Sequence, residues 1–184
     1  MTDEAGADQT ESADQDAQGE ASAEAEQPYG WPMSESRGQT IVHVPREHLA
    51  EFVMELRDEH GFNMCIDVTA VDYLAYEAPR RLPPEVEPER FELVVNLLAM
   101  REGTRLRVRT QVPSDDPVVP SLFDVHPGTE AMEREVFDMF GIRFDGHPDL
   151  SRILMPEDWI GHPLRKDYAI GRIPVQFKGV ENAR

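Results

Sequence analysis

The sequence predicts an α+β domain: two layers, a mixed or antiparallel sheet with helices against it, and an extended C-terminal arm. Three observations carry this reading. Two segments repeat apolar residues at helical spacing, and four others read as strands. The more than 40 residues after Gly141 hold neither period, yet they are rich in large apolar side chains. The 184 residues suffice for one such domain with appendages. The expected organisation is an acidic tail over 1–30, an α/β core over 31–142 and a docking arm over 143–184.

Residues 1–28 contain no large aliphatic side chain after Met1, so burial cannot offset their chain entropy and a disordered tail is expected. Order is expected to begin near Trp31 or Thr40. Thr40–Val44 (TIVHV) reads as a short strand. Pro45 then opens a helix in which Leu49, Phe52, Val53 and Leu56 share one apolar face, with Gly61 placed to stop it. Met64–Tyr73 is rich in β-branched residues and partly alternating, which predicts a strand. Leu74–Arg90, with its prolines and charges, reads as a loop.

Phe91–Met100 (FELVVNLLAM) is apolar on both faces, as a central strand requires. After a turn at Glu102-Gly103, Arg105–Val112 alternates: Leu106, Val108, Thr110 and Val112 on one side, Arg105, Arg107, Arg109 and Gln111 on the other. That predicts a half-exposed strand antiparallel to its predecessor. A solvated face and an acidic partner both account for the Arg row. Val112–Pro127 reads as a Pro-punctuated connection. Met132, Val136, Met139 and Phe140 then mark a second helix over Glu130–Phe140, ended by Gly141 and carrying acids in its first turns.

Composition narrows function. The net charge is −18, but nine of the 36 acids lie in residues 1–30 with no Lys or Arg, leaving 27 acids against 18 bases elsewhere. No basic stripe marks a nucleic-acid binder. The single cysteine, Cys65, excludes an intrachain disulfide and any Cys-ligated zinc or iron–sulfur site built from this chain alone. It sits in an apolar run and reads as a buried structural thiol. There is no signal-peptide pattern, and the most apolar window, residues 93–100, is too short to span a bilayer. Any membrane association would come through partners.

The run from Glu133 to Tyr168 (EREVFDMFGIRFDGHPDLSRILMPEDWIGHPLRKDY) is the most distinctive part of the chain. Glu135 and Asp138 share a helix face while Glu133 points elsewhere. With His147, Asp149, Glu157, Asp158 and His162 they suggest a carboxylate–His enzyme or a metal site. No His-x₃-His pair, His-Glu-x-x-His helix or Gly-x-Ser-x-Gly elbow supports one. Two Gly-His-Pro turns, at His147-Pro148 and His162-Pro163, force changes of direction. The apolar residues between and after them must lie on their own domain or on a partner.

At these residues the chain resembles the 30-kDa subunit family of respiratory complex I, the C subunit of proton-pumping NADH:quinone oxidoreductase. The motif covers about a fifth of the chain. Related subunits occur in membrane-bound nickel–iron hydrogenases, which is the alternative setting. The matching positions are Glu133, Arg134, Glu135, Asp138, Gly141, His147, Pro148, Arg152, Gly161, Pro163, Leu164, Arg165, Lys166, Asp167 and Tyr168, and the resemblance implies that they serve the subunit interface. It also implies a two-layer domain with an extended arm and no redox centre, catalytic residue, cofactor or metal of its own. FMN and iron–sulfur clusters belong to partner subunits of the enzyme. The resemblance implies docking on the quinone-site D subunit, near the B and I subunits, on the cytoplasmic side of the bacterial membrane. Two departures from the family pattern stand out. Ala131-Met132 replaces a usual aromatic pair, and Ser151 stands where a basic residue is usual.

Overall fold

The computed structural model describes residues 28–169. The disordered tail expected over 1–30 lies outside these residues up to position 27, as does the arm from 170 onward.

The first regular elements among the described residues form a hairpin, β1 (Met33–Ser36) and β2 (Gln39–His43), joined by Arg37-Gly38 with both residues at positive φ. This is the two-residue geometry that fits strand twist. Arg37 is an unusual occupant of such a turn, so β1 leaves no recognisable hairpin signal in the sequence. One 3-10 turn leads into α1 (Leu49–Asp58), then β3 (Met64–Asp72), β4 (Phe91–Ala99) and β5 (Thr104–Val112). The helix after Pro45 thus starts later than its proline suggests. Pro45 caps the 3-10 turn instead.

The five strands form one mixed sheet in the order β1-β2-β5-β4-β3, with β2 and β5 parallel and every other pair antiparallel. The Pro-punctuated connection contains a short strand, β6 (Val118–Pro120). It pairs in parallel with β7 (Arg143–Asp145), the opening residues of the expected arm. Three-residue strands carry too little periodicity to read from sequence.

Both helices cover the same face of the sheet. Leu49, Phe52, Val53 and Leu56 of α1 and Val136, Met139 and Phe140 of α2 (Glu130–Phe140) join Phe91, Leu93, Val95 and Leu97 of β4 in one core. The ladder of β3 against β4 shifts between Cys65 and Asp67. That bulge lets Cys65, then Val68 and Ala70, all face the core, and it explains the imperfect alternation. Cys65 is half-buried, and burial pushes its thiol up to about 12, which keeps it protonated and unreactive.

The start of α2 is held by Glu133, which is fully buried. Its carboxylate accepts the Leu122 amide at 2.7 Å, the Thr129 hydroxyl at 2.9 Å and the Ser121 hydroxyl at 2.6 Å. A residue expected to serve the helix dipole therefore ties the β6–α2 connection to the helix. Burial raises its pKa, and the three donors only partly offset that.

Replacing Glu133 with Ala leaves these donors unpaired in the core and should cost about 2–3 kcal/mol, read as a lower thermal midpoint. A carboxyl whose folded pKa is raised stabilises most below its unfolded value of about 4.3 and loses that contribution as pH rises through the folded value. Glu133→Gln should therefore flatten the decline in stability above that pH. Parallel stability–pH curves for the two proteins would contradict this.

Candidate functional site

The arm from Gly146 to Ala169 has no helix or strand, but it is tied along its length to α2 and to the sheet end. Asp138, near the C-terminus of α2, is its first anchor. Its Oδ2 accepts three successive arm amides, Ile153 at 3.1 Å, Leu154 at 2.8 Å and Met155 at 2.8 Å. Its Oδ1 pairs with Arg152, whose guanidinium also reaches the Asp138 and Gly161 carbonyls. Asp138 is fully buried. Burial alone would raise its pKa, but the three amides and Arg152 outweigh it and hold the carboxyl below the usual range.

The exposed carbonyls at the helix end are met in turn. Leu164 N–H donates to the Met139 carbonyl at 3.0 Å, Arg165 Nε to the Phe140 carbonyl, and His162 Nδ1 to the Asp138 carbonyl at 3.0 Å. These are the groups a helix C-terminus leaves unpaired. Gly141, at φ 74°, lets the chain leave the helix while His162 and Arg165 close over it. A Cβ there would lie 2.6 Å from both side chains. Gly161 makes similar room for the Tyr168 ring, 2.8 Å from where its Cβ would stand.

Two more anchors flank this one. Upstream, Arg134 donates to the Ser151 carbonyl and hydroxyl and to the Arg152 carbonyl at 3.0–3.1 Å. Ser151, the departure from the family pattern, thus accepts from Arg134. Of the other departure, Met132 packs partly against the core and Ala131 is exposed. Downstream, Asp72 at the end of β3 accepts Lys166 N–H at 2.9 Å and pairs with Arg90, which also binds Asp167 at 2.9 Å. Arg165 lies over the Phe91 ring at 5.1 Å. Asp72 and Arg90 escape sequence reasoning as anchors. The signal for Asp72 was an acid at the inward-facing end of an apolar strand.

The expected site residues therefore divide. Arg134, Asp138, Gly141, Arg152, Gly161, Leu164, Arg165, Lys166, Asp167 and Tyr168 meet in one clasp between arm and domain. Glu133 bonds on another side of α2, and Glu135 is exposed despite lying three residues from Asp138. His147 Nε2 donates to the Glu130 carbonyl and its Nδ1 accepts Asp149 N–H, so both ring nitrogens serve the turn. Pro148 is exposed and Pro163 half-buried. No joint acid–base constellation forms from Glu133, Asp138 and His147.

Leu150 and Met155 of the arm pack against the core. Ile160 is 89% exposed, Leu154 59%, Leu164 46% and Ile153 40%, so four large apolar side chains of the arm face outward. Among the described residues, the one grouping of metal-type ligands is Glu55, Glu59 and His60, all exposed at the end of α1. No helix there is long and apolar enough to cross a membrane.

The opposite face of the sheet holds a second polar cluster. Glu92, 1% exposed, accepts Tyr73 Oη at 3.2 Å, Gln111 Nε2 at 2.6 Å and Arg80 Nη2. Arg80 also stacks 3.7 Å from the Tyr73 ring centroid. Arg107 donates to Asn96, and Arg109 Nε lies 3.5 Å from Glu92. The Arg row is thus partly paired within the chain. Glu92 within an apolar run was the available signal.

A carboxyl with a lowered folded pKa stabilises above its unfolded value, about 3.9 for Asp, and loses that contribution as pH falls through the folded value. Asp138→Asn should cost about 3–5 kcal/mol at neutral pH and much less in acid. Equal costs at neutral pH and in strong acid, by denaturant titration, would refute the charge-assisted clasp. Gly141→Ala should also release the arm, seen as faster amide exchange at 153–155.

Residues 42–173 match the family model described as respiratory-chain NADH dehydrogenase, 30 Kd subunit. The C subunit of NADH-quinone oxidoreductase from Saccharopolyspora erythraea is 48% identical over 147 residues, covering 79% of this chain and 55% of that protein. NADH-quinone oxidoreductase subunit 5 of Thermus thermophilus is 41% identical over 155 residues, covering 81% and 71%. The chain spans about half the length of the first of these relatives. A solved Nqo5 trypsin-resistant fragment superposes with a TM-score of 0.58 at 38% identity, over 66% of this chain and 90% of the fragment. A chain of the membrane-bound sulfane sulfur reductase, an archaeal respiratory membrane complex, gives 0.55 at 26% identity, over 86% and 92%. The matched region runs from the end of β2 through the clasp, and on that footing the chain belongs to the 30-kDa subunit family of respiratory-chain NADH dehydrogenase.

Proposed function

We propose that this chain is a non-catalytic structural subunit in the peripheral arm of a proton-translocating NADH:quinone oxidoreductase. It docks through its C-terminal arm on the quinone-site D subunit, beside the B and I subunits, on the cytoplasmic side of the membrane. Electrons pass from NADH to quinone through FMN and iron–sulfur clusters held by partner subunits. This chain positions those partners and supplies no reacting group.

The arm's division of labour carries this reading. The guanidinium groups of Arg152 and Arg165 and several backbone amides bond inward to Asp138, Asp72 and the end of α2. Its exposed side chains include four large apolar ones, Ile153, Leu154, Ile160 and Leu164, beside the charges of Glu157 and Asp158. Such a group, with polar bonds beneath it, suits a protein interface. The hydrogenase setting is not favoured, because the family model and relatives at 41–48% identity are NADH dehydrogenase subunits.

The test is affinity purification of the tagged full chain from cells, with mass identification of the subunits that accompany it. The wild type should bring the D, B and I subunits. Leu154→Asp with Ile160→Asp should reduce them at least about tenfold, while thermal stability stays within about 0.5 kcal/mol because both side chains are exposed. Full co-purification of the double variant would sink the arm-docking reading.

A further inference from the structure

The helices α1 and α2 cover one face of the sheet. At the corner of the other face farthest from Glu92, two rows of side chains run across β3, β4 and β5. Met64, Leu98 and Arg105 stand abreast in the first, and Asp67, Asn96 and Arg107 in the second. Cys65, Leu97 and Leu106, which alternate with them, point into the helix layer, so both rows face away from it.

This corner is unusually apolar for the outer face of an antiparallel sheet, which is ordinarily polar. Met64 is 43% exposed, and Leu98 beside it is half-buried. Ile66, the extra residue of the β3 bulge, is 36% exposed. Met100, whose amide bonds Asn63 Oδ1 next to Met64, is 62% exposed. Large apolar side chains gathered at the surface mark a contact site.

The same corner carries cations without partners. Arg109, farther along β5, lies 3.5 Å from Glu92. Arg107 donates from Nε to the neutral amide oxygen of Asn96 at 3.0 Å and has no carboxylate within ion-pair distance among the described residues. Arg105 is exposed and has neither an ion pair nor a side-chain hydrogen bond among them. Asp67, on the far side of Asn96, is the one acid in the two rows. Two guanidiniums therefore face a single carboxylate, and guanidinium groups are well suited to interface ion pairs.

These features select the occupant. A second copy is disfavoured, because a two-fold contact would bring Arg105 and Arg107 against themselves with one carboxylate per copy to answer them. Residues 1–27 hold nine acids but no large aliphatic side chain after Met1, so they have nothing to cover Met64 and Leu98. A segment with both acids and large apolar residues meets both requirements. Arg105 and Arg107 lie two residues apart on one strand, about 7 Å. Residues i and i+4 of a helix are about 6 Å apart along its axis, so two such acids match the pair.

We propose that this corner of the sheet docks an acidic amphipathic helix of a partner protein. Its carboxylates meet Arg105 and Arg107, and its apolar side chains cover Met64, Ile66 and Leu98. The helix adds a third layer to the sheet, on the face that α1 and α2 leave open. The surface is separate from that of the arm, which is clasped to α2.

The test uses the tagged full chain expressed in cells, with the photoreactive residue p-benzoyl-phenylalanine in place of Met64. Irradiation, purification and peptide mapping should yield a captured partner peptide with acids three or four residues apart. R105E/R107E should lower that capture at least about tenfold, with the thermal midpoint unchanged and the D subunit still co-purifying through the arm. Substituting lysine for the two captured acids should restore it. Arg105→Glu alone, at an exposed position, carries the same test if the double variant does not fold. No capture, a peptide without paired acids, capture that ignores the charge reversal, or failure of the lysines to restore it would each overturn the proposal. So would capture confined to residues 1–27, to a second copy or to lipid.

Discussion

A buried carboxylate at the end of α2 sets the geometry on which the arm depends. Asp138 receives the amides of residues 153, 154 and 155 together with the Arg152 guanidinium. Amide donors to a carboxylate are charge-assisted and stronger than neutral bonds. A chain segment with no ladder of its own must place its backbone donors somewhere. Here three consecutive ones converge on a single side chain, and the helix's last carbonyls accept from residues 162, 164 and 165. Helix end and arm therefore complete each other. Neither could be removed without leaving the other's polar groups buried and unpaired.

This arrangement also explains what was and was not legible in the sequence. The helices and long strands could be read because their apolar spacing matches one burial face, as Leu49, Phe52, Val53 and Leu56 show. A two-layer domain with a mixed or antiparallel sheet followed from the order of those elements, but the parallel pairing of β2 with β5 did not. The short strands β1, β6 and β7 could not be read, because four residues or fewer carry almost no period. The clasp was half legible. Charges, glycines and Gly-His-Pro turns marked residues 133–168 as unusual, but periodicity says nothing about which carboxylate meets which amide. Sequence spacing grouped Glu135 with Asp138, and burial separated them, because one faces solvent and the other the arm. Asp72 and Arg90 lie more than 70 residues from the arm positions they bind, a pairing that only the folded sheet brings about.

The two faces of the sheet are built on different terms. The inner face is apolar and covered by α1 and α2. The outer face buries Glu92 and pairs it with Arg80, Gln111 and Tyr73, partly beneath the loop at 74–90. A buried charge of this kind is tolerable only when its neighbours satisfy it, and it then holds those neighbours in fixed geometry. Arg80 bonds both Glu92 and the Glu89 carbonyl, so the polar cluster also ties down the loop at 74–90. A loop without regular structure thereby gains a defined surface.

The same logic applies to the arm and bears on why it carries so many charged residues. A free apolar strap must lose backbone and side-chain freedom when it binds, and that loss is subtracted from its affinity. An arm already ordered on its own domain has undergone much of that loss during folding. Arg134, Arg152, Arg165 and Asp167 direct their charge inward, to carbonyls and charged groups of the same chain. Leu154, whose amide is bonded to Asp138, and Ile160 are left outward. Of the charged cluster that first suggests acid–base chemistry, Asp138, His147 and His162 are thus engaged in holding the arm's shape, while Glu135, Glu157 and Asp158 face solvent.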